Sequence, residues 1–478
     1  MTIPTKKVCF ASGIFNILHP GHIRFLKYSK SIGDILIVGV LSDRLAGNYA
    51  QIDQKIRIEC ISNLACVDKV VLIDDEINNI LEIINPDIII KGHEFKNKDN
   101  EEDLYVKNKK KKLIFANDDI AFSTKELIKK EFFEPSFFYN PKDFIKRRKI
   151  KKNRLKQIIK NFKNLNTLVI GDSIIDQYID TEVTGLSKED SSLVVSPLSE
   201  NKYIGGAAIV SAHSSSLGAK SNFISVHGND DNGKFLVREL EASNVNYISF
   251  IDDTRPTTIK VRYRHQEKNI FRINYMSHHD ISSSTENLIF KYISKNINSF
   301  DLIIFSDFSY GLITDKLIKK ISTLAQKNEV MLFADSQSSS QIGKIGSFKN
   351  MMCITPTEHE ARTALSNFND GLVEISNKLI NKTKSNNLIL KLGADGLIIF
   401  SKTNNSFITD QIPSLNLNPK NISGAGDSFL IGLSLSIAQG ANIWESALIG
   451  SLMAYIQVDQ VGNTPINSDK LLKIIDLL

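Results

Sequence analysis

The sequence predicts an α/β protein of two domains, the first a parallel sheet with helices on both faces and the second an α/β domain with a small β lid. Three observations predict it. At 478 residues the chain exceeds what one hydrophobic core usually organises. Short apolar runs alternate with helical patterns twice over, once from Val8 and again from Thr167. Two different phosphate-holding motifs lie near the two ends, G-I-F-N-I-L-H-P-G-H at 13–22 and N-I-S-G-A-G-D at 421–427.

Taken in order, residues 8–11 form an apolar run of strand length, 23–31 repeat at helical spacing, and 35–40 read as a buried strand. Residues 70–73 and 87–90 read as further strands before turns or polar segments. This β-α-β rhythm implies a parallel sheet covered on both faces. Between 131 and 166 the character changes: Phe132, Phe133, Phe137, Phe138 and Tyr139 precede the basic run K-R-R-K-I-K-K-N-R-L-K at 146–156. That run reads as a solvated linker helix with Ile150, Leu155 and Ile158 on its inward stripe, in preference to a nucleic-acid or membrane patch. In the second rhythm, 168–170 end in Gly171-Asp172, 301–305 in Ser306-Asp307 and 330–334 in Asp335. Residues 387–391 and 396–400 read as later strands, the second antiparallel. Alternating stretches at 192–195 and 257–264 suggest a small β lid over the mouth of the main sheet. The expected boundaries are 1–135, a basic linker 136–165, and 166–478, with fragments ending near Phe138 and starting near Lys152 folding alone.

The formal charge of +6, from 59 basic and 53 acidic residues, suits phosphorylated substrates and does not imply nucleic-acid binding. The four cysteines (Cys9, Cys60, Cys66, Cys353) form no C-x-x-C pair and read as buried thiols in a reducing cytosol. No apolar run approaches the ~20 residues of a membrane span, and the N-terminus lacks a signal-peptide core. A cytoplasmic protein without nucleic-acid or membrane partners is expected. Its oligomeric state stays open, a homodimer included.

At the amino-terminal motif, His19 and His22 fall after a strand and at the start of a helix, where free N–H groups and the helix dipole welcome phosphate. Two imidazoles there can bind the phosphates of a nucleotide and stabilise charge as pyrophosphate leaves. Gly13 and Gly21 let backbone approach the nucleotide closely, and Phe15 completes the Gly-x-Phe frame. This stretch resembles the signature of the cytidylyltransferase-like nucleotidyltransferases, whose plan the first domain follows. The resemblance implies a Rossmann-like fold, Mg²⁺ as partner, and attack of an incoming phosphate on the α-phosphate of ATP or CTP. It further implies nucleotide contacts from Arg57, from Lys91 and Gly92 in the base loop I-K-G-H-E-F, and from Ser123 and Thr124 in a phosphate-binding turn. Asn16 departs from the family's aspartate. A lysine expected within 42–49 is missing, Arg44 being the nearest cation.

At the carboxy-terminal motif, Gly424, Ala425 and Gly426 free backbone amides to converge on a transferring phosphoryl group at a helix start. Asp427 can take the proton of an attacking hydroxyl. With Gly171-Asp172, Asp176, Gly205-Gly206-Ala207-Ala208 and Lys391-Leu392-Gly393, the stretch from Thr167 to Leu478 resembles the ribokinase/PfkB sugar kinases. That likeness implies a ribokinase-like fold, sugar binding by Asp172, Asp176, Gly205, Gly206 and Asp307, and nucleotide contacts from Lys391 and Gly393. Glu360 would orient water around Mg²⁺. Departures from the family pattern are Ile209 for asparagine, Tyr310 for lysine, Ser336-Gln337 for Pro-Lys, and Thr357 for asparagine.

Together the halves resemble the bifunctional heptose-phosphate kinase/adenylyltransferase family, which carries its kinase first; the order here is the reverse. The expectation is ATP-dependent phosphorylation of a sugar phosphate such as D-glycero-manno-heptose 7-phosphate, followed by nucleotidyl transfer to an ADP-heptose-type product and pyrophosphate. Two alternatives stay open: a CTP-dependent pair of enzymes making a CDP-alditol or CDP-sugar, and one catalytically silent nucleotide-binding half. His278-His279 with Asp280 read as a surface loop and His213 as a core histidine. His265 with Arg262 and Arg264 reads either as a contact to a phosphorylated sugar or as an exposed lid strand.

Overall fold

The structure is a computed structural model that describes residues 7–16, 18, 20–92, 100–109, 111–116, 138–190, 192–266, 268–338, 342–403, 407–460 and 462–478. The chain divides into two compact units, Met1–Ser136 and Phe137–Leu478.

The first unit is built on five strands: β1 (Val8–Gly13), β2 (Ile35–Leu41), β3 (Lys69–Ile73), β4 (Ile88–Gly92) and β5 (Lys112–Ala116). They form one sheet in the order β3-β2-β1-β4-β5, parallel throughout. Strand alternation sends Cys9 and Ala11 to one face, where they pack with Phe25, Leu26 and Ile61. Phe10 and Ile89 go to the other, against Ile77, Leu81 and Tyr105. Both faces are buried, as a doubly wound sheet requires. The chain reverses its direction of growth between β1 and β4, so a crevice opens beyond their carboxyl ends. The 13–22 motif starts there and runs into the helix Pro20–Ser31. The first four predicted strands are present; β5, short and flanked by polar residues, was not predicted.

The second unit carries a nine-stranded sheet and a four-stranded one. The strands, in chain order, are β6 (Asn166–Gly171), β7 (Ser173–Leu186), β8 (Leu193–Gly206), β9 (Lys220–His227), β10 (Asn246–Ile251), β11 (Ile259–His265), β12 (Lys268–Tyr275), β13 (Leu302–Asp307), β14 (Met331–Ser336), β15 (Cys353–Ile354), β16 (Asn387–Lys391), β17 (Leu397–Lys402) and β18 (Phe407–Ile412). The large sheet runs β10-β9-β6-β13-β14-β15-β16-β17-β18, with β17 and β18 antiparallel as predicted for the first of them. Growth reverses between β6 and β13, so Asp172, Asp307, Asp335 and Lys391 all arrive at one carboxyl edge. The small sheet, β12-β11-β7-β8, is the predicted lid. Register pairs Asp176 with Lys260 and Asp180 with Arg264, which places a charged row on one face. The alternate residues Ile175, Ile179, Ile259 and Val261 pack on the other face with Phe235.

The inward stripe Ile150, Leu155 and Ile158 is buried as expected, and the segment expected as a basic linker is corrected to part of the second unit. Phe144, Ile150, Leu155, Ile158, Ile159 and Phe162 are buried in the main core of the second unit. Its charges are also matched: Arg147 and Arg148 both bond Asp410, Arg148 lies 3.6 Å over the Trp444 ring, and Lys156 pairs with Asp476. Composition alone could not show that these cations have acids waiting some 260 or more residues away. A fragment starting at Lys152 therefore loses the Phe144 side chain and its pocket is left open. It should be less stable than one starting at Phe137 by about 3–5 kcal/mol, the usual cost of emptying a buried phenylalanine site. Urea-unfolding midpoints compare the two, and coincident midpoints would refute the docked reading. The cysteine expectation is also corrected: Cys9 and Cys353 are buried, but Cys60 is exposed and Cys66 half-buried, all four free.

Candidate active sites

In the first unit the motif is shaped by packing. Phe15 holds φ at +54°, a left-handed conformation uncommon for an aromatic residue. This tucks its ring, 4% exposed, beneath Gly13, where an added Cβ would meet it at 3.0 Å. The ring of His22 meets the Phe15 ring edge-on, with centroids 5.2 Å apart. Phe15 is thus a support for His22 rather than an open nucleotide contact. Gly21 lies in the first turn of the helix beside it. His19, Ser123 and Thr124 lie outside the described residues.

Arg57 is corrected. It is 1% exposed, and its guanidinium donates to the carbonyls of Ile52 and Ile14 at 2.7 and 2.6 Å and to Asp43 at 2.5 Å. Three of its five N–H groups are thus bonded inside the protein, and it buttresses the motif loop from a buried position. The Asn16 departure has a reason of its own. Its amide nitrogen donates to the Tyr49 carbonyl, and its oxygen accepts from the backbone N–H of Gln51 at 3.0 Å. A carboxylate could accept but not donate, so asparagine is the residue this clamp needs. Arg44 pairs with Asp74 and does not replace the missing lysine. Lys91 bonds Glu102 at 2.6 Å, both largely buried, and Gly92 closes β4.

The second site is assembled at the carboxyl edge of the large sheet. Helix Ala425–Ala438 begins there, with Gly424 at φ +77° as its N-cap. A side chain at 424 would be strained by that φ and would strike Asn463 Oδ1 at 2.5 Å. The small residues at 424–426 keep side chains away from the helix start, where backbone N–H groups can meet an anion; the Ala425 N–H also reaches the Ile422 carbonyl at 3.4 Å. Asp427, in that first turn, is 6% exposed, and its Oδ1 accepts from Gln337 Nε2 at 2.9 Å. Burial, then the neighbouring Asp335, pushes its carboxyl up to about 7. Beneath the glycines, Lys391 Nζ bonds both oxygens of Asp335 at 2.9 Å. Burial alone would lower this lysine, but Asp335 and then Glu360 outweigh it and hold it charged. Lys391 is close enough that a Cβ at Gly426 would sit 3.2 Å from its Nζ. Gly393, at φ +64°, opens the turn after β16.

On the sugar side, Asp176 accepts from Arg262 and, at 2.9 Å, from Asn463 Nδ2. Gly205 has no room for a side chain because a Cβ would lie 2.2 Å from Asp176 Oδ2. Gly206 caps the helix Ala207–Ser216. Asp172 Oδ2 accepts the N–H groups of Phe308 and Tyr310 at 2.9 and 3.3 Å, anchoring that loop. Asp307 accepts from the Ser336 hydroxyl at 2.6 Å, and burial followed by nearby Asp172 raises it to about 6. Lys260 was not singled out from the sequence. It projects from the charged row of the lid over the rings of Phe308 and Tyr310, at 5.1 and 5.5 Å, and its charge acts on Asp427.

Each family departure has a local explanation. Ile209 is fully buried in the core. Tyr310 leaves its ring beside Lys260, a cation supplied from another strand. Ser336 ties Asp307 to the Lys344 N–H. Thr357 caps the helix Glu358–Leu365 in a capping box with Glu360, a duty asparagine would share. Both Glu360 oxygens accept backbone N–H groups, from Ser338 and Thr357. Among the described residues no three His, Cys, Asp or Glu side chains gather as a metal site. His213 is a core histidine satisfied on one side only: Nδ1 accepts the Ile466 N–H at 3.0 Å and Nε2 is unpartnered, burial pushing it down to about 3. Arg262 is held by Asp176, and His265 faces the Thr181 carbonyl at 2.9 Å. No described helix is long and apolar enough to cross a membrane.

Residues 164–470 match the pfkB family carbohydrate kinases, and residues 10–185 match the cytidylyltransferase-like family. Among curated relatives, bifunctional protein HldE of Pelobacter propionicus is 26% identical over 327 residues, covering 68% of this chain and 66% of the relative. The protein of that name from Desulfatibacillum aliphaticivorans is 29% identical over 314 residues, covering 65% and 63%. The matches thus span under two thirds of the relatives' length. Phosphofructokinase-2 from Escherichia coli, solved with substrates and products, superposes with a TM-score of 0.52 at 16% identity, covering 66% of this chain and 99% of its own. Ribokinase from Thermotoga maritima gives 0.52 at 18%, covering 66% and 100%. At such identity the likeness is one of fold: ribokinase-like in the second unit, beside a Rossmann-type first unit.

Proposed function

Because the chain belongs to the pfkB family of carbohydrate kinases, we propose that its second unit transfers the γ-phosphoryl group of ATP to a sugar hydroxyl. The first unit then joins the product to a nucleotide. The observation that carries the kinase reading is the placement of Asp427 at the mouth of an anion-holding helix start, with its carboxyl raised to about 7. A hydroxyl oxygen attacks the γ-phosphorus, its proton passes to Asp427, and ADP departs as the N–H groups of 424–426 and the Lys391 charge stabilise the phosphoryl oxygens. Asp176, oriented by Arg262 and Asn463, is placed to bind the acceptor. Mg²⁺ on the nucleotide would neutralise phosphate charge, with Glu360 facing it through water. In the first unit, His19 and His22 stabilise charge on the departing pyrophosphate as a sugar phosphate attacks the α-phosphorus.

The finer reading is D-glycero-manno-heptose 7-phosphate as acceptor and an ADP-heptose-type product. Its support is the name bifunctional protein HldE borne by curated relatives, together with the two family matches of this chain. Mass spectrometry of products from ATP or CTP with a panel of heptose and alditol phosphates tests it. A CDP-linked alditol as the sole product would replace it. A second expectation concerns pH. The base works only when ionised, so kcat/KM for phosphorylation should rise with pH and level off with an apparent pKa near 7, well above the range of an ordinary carboxylate. A limb that ends below pH 5 would remove Asp427 from the role.

A further inference from the structure

We propose that Gln337 is a positioning residue for the kinase base: its amide holds one oxygen of Asp427 so that the other faces the acceptor hydroxyl. The inference rests on the kinase reading above and adds a residue to it. Three observations carry it. The backbone of Gln337 is pinned, since its N–H donates to the Asp307 carbonyl at 2.8 Å, which directs the side chain along the carboxyl edge of the sheet. Its Nε2 then reaches Asp427 Oδ1 at 2.9 Å. The same position closes the glycine turn from the side, since Gln337 Nε2 lies 3.9 Å from where a Cβ of Gly426 would be.

A carboxylate in the first turn of a helix rotates about its terminal bond unless something holds it. Here Gln337 holds Oδ1, so the lone pairs of Oδ2 are set by the same bond. The other groups acting on Asp427 are charged: Asp335 from β14, Lys391 from β16, Asp176 from β7 and Lys260 from β11. Gln337 donates a hydrogen bond without adding charge. A lysine here, as in the Pro-Lys pattern of the family, would donate as well but also draw the aspartate further toward ionisation. Glutamine therefore fixes orientation while leaving the proton affinity of the base high.

The test uses the full chain with two substitutions. Gln337→Leu keeps the bulk and removes the donor. It should lower kcat for phosphorylation roughly 10- to 100-fold, the size of a lost hydrogen bond to a charged group, with KM for ATP unchanged within twofold. It should also move the acid limb of kcat/KM to higher pH. Gln337→Lys should move that limb to lower pH. A residue that only filled space would leave the Asp427 titration unmoved in the leucine variant, which keeps that bulk. Carbon-13 NMR of aspartate-labelled protein, with Asp427→Asn as assignment control, reads the same carboxyl without turnover and should shift up in the leucine variant and down in the lysine variant. If the Asp427 titration is the same in wild type and both variants, Gln337 does not position the base. Wild-type protein that phosphorylates no acceptor, while the two titration shifts appear, would sink the kinase reading and leave the Gln337–Asp427 coupling standing.

Discussion

Asp427→Asn is expected to lower kcat for sugar phosphorylation by roughly 100- to 10,000-fold, the range for losing a general base, with ATP affinity within about twofold of wild type. The structure makes this a clean substitution. Asparagine keeps the size of the side chain, and its oxygen can still accept from Gln337 Nε2. It also removes one of two neighbouring buried acids, since Asp335 raises Asp427 by repulsion. The fold should therefore lose nothing, and the whole effect falls on turnover, as expected for an interaction made only in the transition state. Nucleotidyl transfer to a supplied sugar 1-phosphate should continue, because that chemistry belongs to the other unit. Steady-state kinetics with calorimetric ATP binding decides it: a variant within tenfold of wild-type kcat would strip Asp427 of its role.

His22→Ala should lower pyrophosphate release by roughly 100- to 1,000-fold, the usual cost of one donor to a developing negative charge. Phosphorylation by the second unit should be unchanged, and His19→Ala should behave alike. The ring of His22 packs edge-on against Phe15, so its removal also costs some stability, roughly 0.5–1.5 kcal/mol for such a pair. That is too little to unfold a domain, and a thermal melt of the variant separates the two effects. Wild-type pyrophosphate release from the double mutant would end the assignment.

What the sequence made legible followed from local pattern. The runs at 8–11, 35–40 and 168–170 announce buried strands because a parallel sheet needs apolar residues on both faces. The 424–427 turn announces a helix start because glycine and aspartate suit that backbone. Partners brought together by the fold were not legible. Arg57 reads as a nucleotide contact until the structure shows three internal acceptors for it. The 146–156 run reads as a solvated helix until Asp410, Trp444 and Asp476 take up its cations. Gln337, just beyond β14 and noticed in the sequence only as a departure from the family pattern, and Lys260 of β11 reach the site from far apart in the chain, and no periodicity marks them. Asp176 was singled out by its company, whereas Asn463, its partner 287 positions away, carried no local signal.

That last separation bears on how the protein comes into being on the ribosome. The sugar side of the second site joins residue 176 to 463, the core histidine 213 accepts from 466, and Asn140 bonds the carbonyls of Leu477 and Leu478. Closures of that span are slow, because the entropy of the loop is lost before the contact forms. The sheet described in the first unit is made from residues 8 to 116. During synthesis that sheet can form while the second unit still waits for its final segment. A nascent chain stalled before residue 463 would carry the first sheet together with a second unit lacking the clamp on Asp176.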